Sequence, residues 1–329
     1  MSALAPVLEA FFTERLIRQL QASPHTVTSY RDTFRLLLGY ARDRTGTQPS
    51  RLDIADLDAP LISGFLDHLE TSRGNAIRTR NARLAAIRSL FAYAALREPA
   101  HAALIARVLA IPPKRSDKAL VTWLTHDEAQ ALITAPDPVS RTGRRDRALI
   151  QTAAEAGLRV SEITSLTCTD VVLTRGSYLR VHGKGRKERV TPITRATTAV
   201  LRTWITETGG APASLVFPGP RGTPLTRSAV EHMISKRAAA AAGNCPSLRE
   251  KNITPHTLRH TAAMRLLRAG VDIATIALWL GHESTETTQI YLHADMTIKE
   301  RALARTVPPG VPPGRYNPPD TLLAFLETL

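Results

Sequence analysis

The stretch TVTSYRDTFRLLLGYARD, residues 26–43, establishes the helical character of the first part of this 329-residue chain. Its apolar side chains recur at steps of three and four residues, as in an amphipathic helix that packs on one face; they are Val27, Tyr30, Phe34, Leu37 and Ala41. Ser23 and Pro24 stand just before the stretch and form a typical helix start. A second helix is predicted over residues 77–97, with an inward face made of Leu84, Ile87, Phe91 and Ala94.

The charge of the chain indicates a polyanionic partner. The net charge is +14 and the sequence pI is about 10.5, an excess that favours nucleic acid. We expect phosphates to contact arginines that lie off the apolar faces of the two helices: Arg31, Arg35, Arg78, Arg80, Arg83 and Arg88. An ordinary solvated face is the equally weighted alternative for these arginines. No apolar run reaches the roughly 18 residues of a membrane span, so none is predicted.

Proline-rich segments divide the chain. Residues 111–123 read IPPKRSDKALVTW, in which two prolines followed by charged residues oppose a continuous helix. We predict an N-terminal helical domain over 1–111, a linker over 112–123 and a second domain over 124–305. The last segment, 306–329, joins a Pro/Gly-rich linker to the apolar tail TLLAFLETL. A helix this short is unstable alone in water, so we expect the tail to dock on its own domain or on a neighbouring subunit.

One β-hairpin interrupts the helical pattern of the second domain. The β-prone runs GSYLRV and RVTPI, residues 176–181 and 189–193, enclose the turn HGKGRKE. The tip is strongly basic, and we expect Arg186 to contact phosphate there. These patterns predict a mainly α protein of two domains, the second mixed but mostly helical with a small β-sheet or hairpin.

Three polar blocks of the second domain carry residues suited to phosphate chemistry. The blocks are AGLRVSEITSL at 156–166, PHTLRHTAAMRLLRAG at 255–270 and LGHESTETTQIYLHADM at 280–296. In the first two blocks, an arginine and a second titratable residue stand three apart, on one face of a helix: Arg159 with Glu162, and His256 with Arg259. Tyr291 follows His282 by nine residues in the third. A lone helical tyrosine is usually a packing residue, and only these neighbours favour chemistry at Tyr291.

The blocks resemble the motifs of the phage integrase, or tyrosine recombinase, family. The matching residues are Gly157, Leu158, Arg159, Ser161 and Glu162, then His256, Leu258, Arg259 and His260, then Leu280, Gly281, His282 and Tyr291. The resemblance is strong over residues 124–300, and the N-terminal helices resemble the family's SAM-like core-binding domain more loosely. It implies a catalytic set of Arg159, Lys184, His256, Arg259, His282 and Tyr291. Lys187 is the competing lysine on the same turn, and Glu162 is implied to orient the site.

Phosphodiester chemistry suits the two arginines and the two histidines of this set. Negative charge builds on the non-bridging oxygens in the transition state, and paired guanidiniums can hold those oxygens. Arg159 and Arg259 are therefore the predicted phosphate clamp, to which His282 adds a hydrogen bond.

The remaining residues move the protons of the reaction. Tyr291 is the predicted nucleophile, and its phenol, with an ordinary pKa of about 10, needs a base. His256 is the predicted base, and Lys184 is the predicted acid for the 5′-oxygen that leaves. His260 is predicted to be structural rather than catalytic.

The resemblance also implies the partners. The product is a 3′-phosphotyrosyl link that retains the bond energy, so neither ATP, a metal nor another cofactor is expected, and no GxxxxGK[ST] loop occurs. Expected partners are double-stranded DNA with specific recombination sites and further recombinase subunits, as a dimer on each site and a tetramer in the synapse. Two cysteines are too few for a disulfide framework, and we expect a cytoplasmic, nucleoid-associated protein.

Several roles remain open. Integration, excision or transposition of a mobile element is favoured, and dimer resolution of the Xer type is the alternative. A type IB topoisomerase shares the residue set, and an accessory DNA-binding recombinase without its own cleavage is a rival of another class. A metal-dependent transposase is disfavoured because it needs a carboxylate triad on a mainly β core.

Overall fold

The structure is a computed structural model that describes residues 3–115, 121–183, 188–282 and 286–293. These residues are mainly helical with one small sheet, which confirms the predicted fold class. It divides into two compact units, Met1–Lys118 and Ala119–Leu329. The finer domain limits stay predictions, and the Pro/Gly-rich linker with the apolar tail lies outside the described residues.

The first unit is a helical bundle. Its elements are α1 (Leu4–Ala10), a π-helical segment (Phe11–Gln19), α2 (Pro24–Thr45), α3 (Ala59–Thr71), α4 (Ile77–Ala94) and α5 (Ala102–Leu109), with 3₁₀ turns at Pro49–Arg51, Ile54–Asp56 and Pro99–His101. The side chain of Ser23 caps α2 by accepting a hydrogen bond from the amide of Thr26 at 3.2 Å. Both predicted helices are thus present, although α4 ends three residues early.

The apolar faces of α2 and α4 form the core of this unit. The buried side chains include Phe34, Leu37 and Ala41 of α2, and Leu84, Ile87, Phe91 and Ala94 of α4. Val27 and Tyr30, at the start of the predicted stripe, are only half-buried. The three- and four-residue spacing therefore predicted the buried face correctly over most of its length.

The second unit carries eight helices and three strands among its described residues. They are α6 (His126–Thr134), α7 (Arg141–Ala156), α8 (Val160–Thr164), β1 (Val171–Val172), β2 (Tyr178–His182), β3 (Glu188–Pro192), α9 (Arg195–Glu207), α10 (Arg227–Ala241), α11 (Pro255–Arg268), α12 (Ile273–Leu280) and α13 (Glu286–Gln289), with 3₁₀ turns at Cys168–Asp170, Pro220–Gly222, Pro246–Glu250 and Ile290–His293. Helix α7 packs against α9 and α11, and α11 packs against α12. The central helix thereby brings the first and second polar blocks together.

The sheet is antiparallel, in the order β1-β2-β3. Strands β2 and β3 form the predicted hairpin, with Arg180 opposite Val190. Strand β1 was not predicted, because two residues are too short to leave a periodic pattern. The hairpin tip, with Lys184, Arg186 and Lys187, lies outside the described residues. None of the helices in the described part of the chain has the length and apolar character that a bilayer crossing requires.

Candidate active site

Two glycines shape the backbone of the site. Gly157 ends α7 at φ +67°, and Gly281 ends α12 at φ +65°, a region that glycine adopts at low cost. A Cβ at position 157 would lie 2.6 Å from a methyl of Leu280, so no larger residue fits where these helix ends meet. The chain reversals direct the carbonyls of both glycines toward arginine side chains.

Arg159 stands at the N-terminus of α8, directly after this turn. Its Nη1 donates to Glu162 Oε1 at 2.8 Å, and its Nη2 donates to the carbonyl of Gly281 at 2.8 Å. The guanidinium remains partly exposed, at 36% of its side-chain surface. Each contact uses one of the five N–H donors, so further donors of the guanidinium make no hydrogen bond within the described residues and can contact a ligand.

Arg259 lies on α11 and is buried. Its Nη1 donates to the carbonyl of Gly157 at 2.6 Å, and its Nη2 donates to the carbonyl of Leu280 at 2.7 Å. Burial and the charge of Arg159 lower the pKa of Arg259 to about 10, so the side chain is still a cation at neutral pH. A second fixed positive charge therefore stands beside the first.

Glu162 and Arg189 connect this pair to the hairpin. Glu162 is buried, and both of its oxygens accept hydrogen bonds from Arg189 of β3, at 2.9 and 2.8 Å. Its Oε2 also accepts from the backbone amide of Arg159 at 2.8 Å. Burial raises the pKa of Glu162, but the hydrogen bonds and charges of the arginines outweigh it and lower the pKa overall. The carboxylate is thus ionised and fixes the strand, α8 and Arg159 relative to one another.

A cavity of about 460 Å³ opens in front of the arginines. Its lining includes Arg159, His256, Arg259 and, at the rim, Arg227 and Glu231 of α10. The first turns of α10 and α11 both contribute to the wall, and helix N-termini carry a partial positive charge. The cavity is therefore suited to a phosphate group.

The ring of His282 is oriented by a hydroxyl. Its Nδ1 lies 2.7 Å from Oγ1 of Thr288, which is fully buried on α13. Burial, with further effects of Arg259 and Arg159, lowers the pKa of His282 to about 4. The neutral ring has one N–H; if Thr288 donates to Nδ1, that hydrogen is on Nε2, from which it can point to a phosphate oxygen.

Tyr291 lies in the 3₁₀ turn after α13, and its side chain is 1% exposed. Its hydroxyl lies 2.9 Å from Nδ1 of His260, and the two rings pack edge to face at 5.5 Å. Burial raises the pKa of Tyr291 to about 12, and Arg259 partly opposes this effect. The phenol is therefore protonated at neutral pH.

His256 lies one helical turn before His260 on α11. The two rings are in contact, with centroids 4.2 Å apart. Partial burial of the ring lowers the pKa of His256, and the positive charges of Arg259 and Arg159 lower it further. Among the described residues, the hydrogen bond of the Tyr291 hydroxyl is made with His260 and not with His256.

The arginines of the first unit differ in their surroundings. Arg80 is 5% exposed, pairs with Glu70 at 3.5 Å and donates to the carbonyl of Pro112 at 3.2 Å. The prediction that Arg80 contacts DNA is therefore corrected, because its guanidinium is used inside this unit. The others are at least partly exposed and stay predicted contacts: Arg31, Arg35, Arg78, Arg83 and Arg88.

The sequence pattern did not single out two residues of the site, Arg189 and Thr288. Nothing in the pattern of its strand pointed to Arg189. Alternating side chains would be expected to place the apolar Val190 inward and Arg189 outward, whereas Val190 is 58% exposed. Thr288 was inconspicuous in a polar segment. The prediction that His260 is structural stays a prediction; its spacing of four from His256 puts both rings on one face of α11, and its Nδ1 lies at the Tyr291 hydroxyl.

The comparisons with known proteins identify the family. Residues 122–297 match the phage integrase family, and residues 10–98 match the phage integrase N-terminal SAM-like domain. The chain belongs to the phage integrase family, and it is a tyrosine recombinase, an enzyme that cleaves and rejoins DNA through a phosphotyrosine intermediate.

Individual relatives cover most or all of the chain. A putative integrase/recombinase, y4rC, from Sinorhizobium fredii is 53% identical over 328 residues, which are 100% of this chain and 99% of that protein. Tyrosine recombinase XerD of Pseudomonas putida is 33% identical over 317 residues, which are 94% of this chain and 100% of that protein. The crystal structure of the XerH site-specific recombinase bound to palindromic difH substrate, a post-cleavage complex, has a TM-score of 0.68 at 23% identity, over 86% of this chain and 80% of that one. At 23% identity, the similarity to XerH supports the fold alone.

Replacing Thr288 with valine is expected to slow DNA cleavage about five- to tenfold. Valine keeps the shape of threonine, but the lost hydrogen bond, worth about 1 kcal/mol, leaves the His282 ring free to turn. The rate of covalent adduct formation measures the effect. Thr288→Ser restores the hydroxyl and should restore the rate; equal rates for the valine variant and the wild type would exclude a role for this contact.

Proposed function

We propose that the chain is a site-specific recombinase that moves a mobile element by integration, excision or transposition. The observation that carries the proposal is the convergence of Arg159, Arg259 and His256 on one cavity. His282 directly follows Gly281, whose carbonyl accepts from Arg159, and the Tyr291 hydroxyl contacts His260 on the helix of Arg259. Burial within the protein strengthens electrostatic interactions with a bound phosphate. The site therefore fits a DNA phosphodiester that is attacked by a tyrosine.

The arginines would act as the phosphate clamp. Each guanidinium is already held by a carbonyl of a helix end, so its orientation is fixed before the substrate binds. A fixed donor needs no reorganisation as charge develops on the non-bridging oxygens, and this lowers the barrier more than a mobile donor would. His282 would add a hydrogen bond to the same oxygens.

The chemical steps follow from the residue types. The Tyr291 oxygen attacks phosphorus, the bond to the 5′-oxygen breaks, and a 3′-phosphotyrosyl link forms. The leaving 5′-oxygen takes a proton, for which Lys184 is the proposed donor and Lys187 the alternative. Rejoining reverses these steps, because the phosphotyrosyl bond retains the energy of the original link.

The relatives support the biological role. The similarity to a putative integrase/recombinase at 53% identity favours a mobile element. The similarity to XerD at 33% identity keeps chromosome-dimer resolution as the second candidate. The fold neighbour XerH is bound to DNA, and we propose that this chain binds its recombination sites as a dimer and joins two sites as a tetramer. The apolar tail would dock in the next subunit, and the protein would act in the cytoplasm at the nucleoid.

A nicked suicide substrate tests the proposed function. The wild type should form a covalent protein–DNA adduct on sites taken from the DNA that flanks its gene, and Tyr291→Phe should form none. The phenylalanine variant should still shift the same DNA in a gel, which separates lost chemistry from lost binding. An absence of adduct with the wild type on every bound site would favour an accessory DNA-binding protein, and relaxation of supercoils without a specific site would favour a topoisomerase.

A further inference from the structure

The contact between His260 and Tyr291 has a defined hydrogen-bond direction. The tyrosine side chain is 1% exposed, and its hydroxyl has one hydrogen to donate. Within the described ranges, the hydrogen bond to Nδ1 of His260, at 2.9 Å, is the one that the hydroxyl makes. A buried hydroxyl rarely leaves its hydrogen unpaired. The phenol therefore donates to Nδ1, and the hydrogen of the His260 ring is on Nε2.

His260 is also in the protonation state of an acceptor. Burial, followed by the charges of His256, Arg259 and His282, lowers the pKa of His260 to about 3. The ring is thus neutral at physiological pH and keeps a lone pair on Nδ1. The ring of His260 contacts that of His256, which lines the phosphate cavity. A phosphate bound there would bring negative charge toward the pair and raise the affinity of His260 for a proton.

We propose that Nδ1 of His260 accepts the phenolic proton of Tyr291 during DNA cleavage. This step rests on the proposed recombinase function. As the phenol oxygen bonds to phosphorus, its hydrogen moves to Nδ1 and gives an imidazolium; the bond to the 5′-oxygen breaks, and that oxygen takes a proton from the general acid. Rejoining returns the proton from Nδ1 to Tyr291.

His256 and His260 lie at different places in the site. His256 lines the phosphate cavity, whereas His260 contacts the nucleophile, and the two rings are in contact at 4.2 Å. The ring in the cavity is available to the phosphate, and the deeper ring is available to the phenol. The two histidines of one helix face would thus divide phosphate contact and proton transfer between them.

A matched pair of substitutions tests the proposal. His260→Asn puts an amide near the position of Nδ1, which can keep a hydrogen bond to the phenol but cannot take its proton. We expect adduct formation on a suicide substrate to fall by about 10²–10⁴-fold, the usual contribution of a general base. His256→Asn is the same change one turn earlier. Thermal unfolding and DNA binding of both variants show whether the fold is intact.

Chemical rescue distinguishes proton transfer from positioning. A 3,5-difluorotyrosine at position 291 has a phenol of lower pKa, which ionises without a base as the pH rises. This replacement should restore adduct formation to His260→Asn at alkaline pH and should restore it much less to His256→Asn. A positioning defect would not respond to the acidity of the phenol.

The outcomes separate this inference from the recombinase proposal. If the wild type forms adduct and His260→Asn forms it equally fast, or if the fluorinated tyrosine gives no rescue, His260 is not the proton acceptor. If the wild type forms no adduct, the recombinase proposal itself fails. The ¹⁹F resonance of residue 291 in the DNA-free protein is an independent measurement: it should move in His260→Ala, and an unmoved resonance would overturn the contact on which the inference depends.

Discussion

Replacing Arg259 with lysine is expected to slow DNA cleavage by about 10²–10³-fold, the usual cost of removing one fixed donor from a developing anion. Lysine keeps the positive charge but is a point charge without a rigid fork. Its three N–H groups diverge from one nitrogen, so they cannot hold the carbonyls of Gly157 and Leu280 and also present two parallel donors to a phosphate. Single-turnover adduct formation on a suicide substrate measures the loss.

Arg265→Lys is the matched control for this prediction. Arg265 lies on the same helix and donates to the carbonyl of Glu155 at 3.0 Å, away from the phosphate cavity. Its replacement should change the rate of cleavage little. DNA affinity should stay close to the wild-type value in both variants, because the charge is retained. A wild-type cleavage rate for Arg259→Lys would mean that the fork geometry is not needed.

Replacing Glu162 with alanine is expected to lower the free energy of unfolding by about 3–5 kcal/mol, as is usual when one partner of a buried ion pair is removed. Glu162 is buried and accepts from both Arg159 and Arg189. Without it, Arg189, whose side chain is only 11% exposed, keeps the carbonyl of Trp279 as its sole partner among its described hydrogen bonds. Urea unfolding followed by circular dichroism measures the change.

The pH dependence of this effect has a definite sign. The pKa of Glu162 is lowered in the folded chain, so its ionisation stabilises the fold above the carboxyl pKa of the unfolded chain, about 4.3. That contribution is lost as the pH falls through the folded-state pKa. The difference in stability between wild type and Glu162→Ala should therefore shrink in acid. Glu231→Ala, which removes an exposed pair with Arg227, should cost at most about 1 kcal/mol; an equally small change for Glu162→Ala would contradict the expectation.

The local elements of this fold were predictable because their causes are local. The stripe on α2 and the Ser23 cap each depend on residues within a few positions of one another. The β2–β3 hairpin was predictable for the same reason. Strand β1 was not, because its two residues are a strand only through pairing with β2.

Contacts between distant segments could not be predicted in this way. Arg80 looked like the other arginines of its helix, and only the packed unit places it against Glu70 and Pro112. Arg189 looked like an outward residue of a hairpin, yet its guanidinium reaches Glu162 on α8. Spacing along a helix fixes which residues share a face, but it does not fix what that face meets.

The sequence alone determined two features of this protein. The apolar stripe of residues 26–43 specifies a helix with a buried face, and the three polar blocks hold a set of residues suited to phosphate transfer. Only the tertiary structure decided how that set is arranged. In the folded chain, Arg159 donates a hydrogen bond to the carbonyl of Gly281, 122 positions away. The hydroxyl of Tyr291 contacts His260 instead of His256. The physical reason is that a side chain's pattern of neighbours along the chain sets its local conformation, whereas its burial, its pKa and its hydrogen-bond partner depend on segments that meet only when the chain is folded.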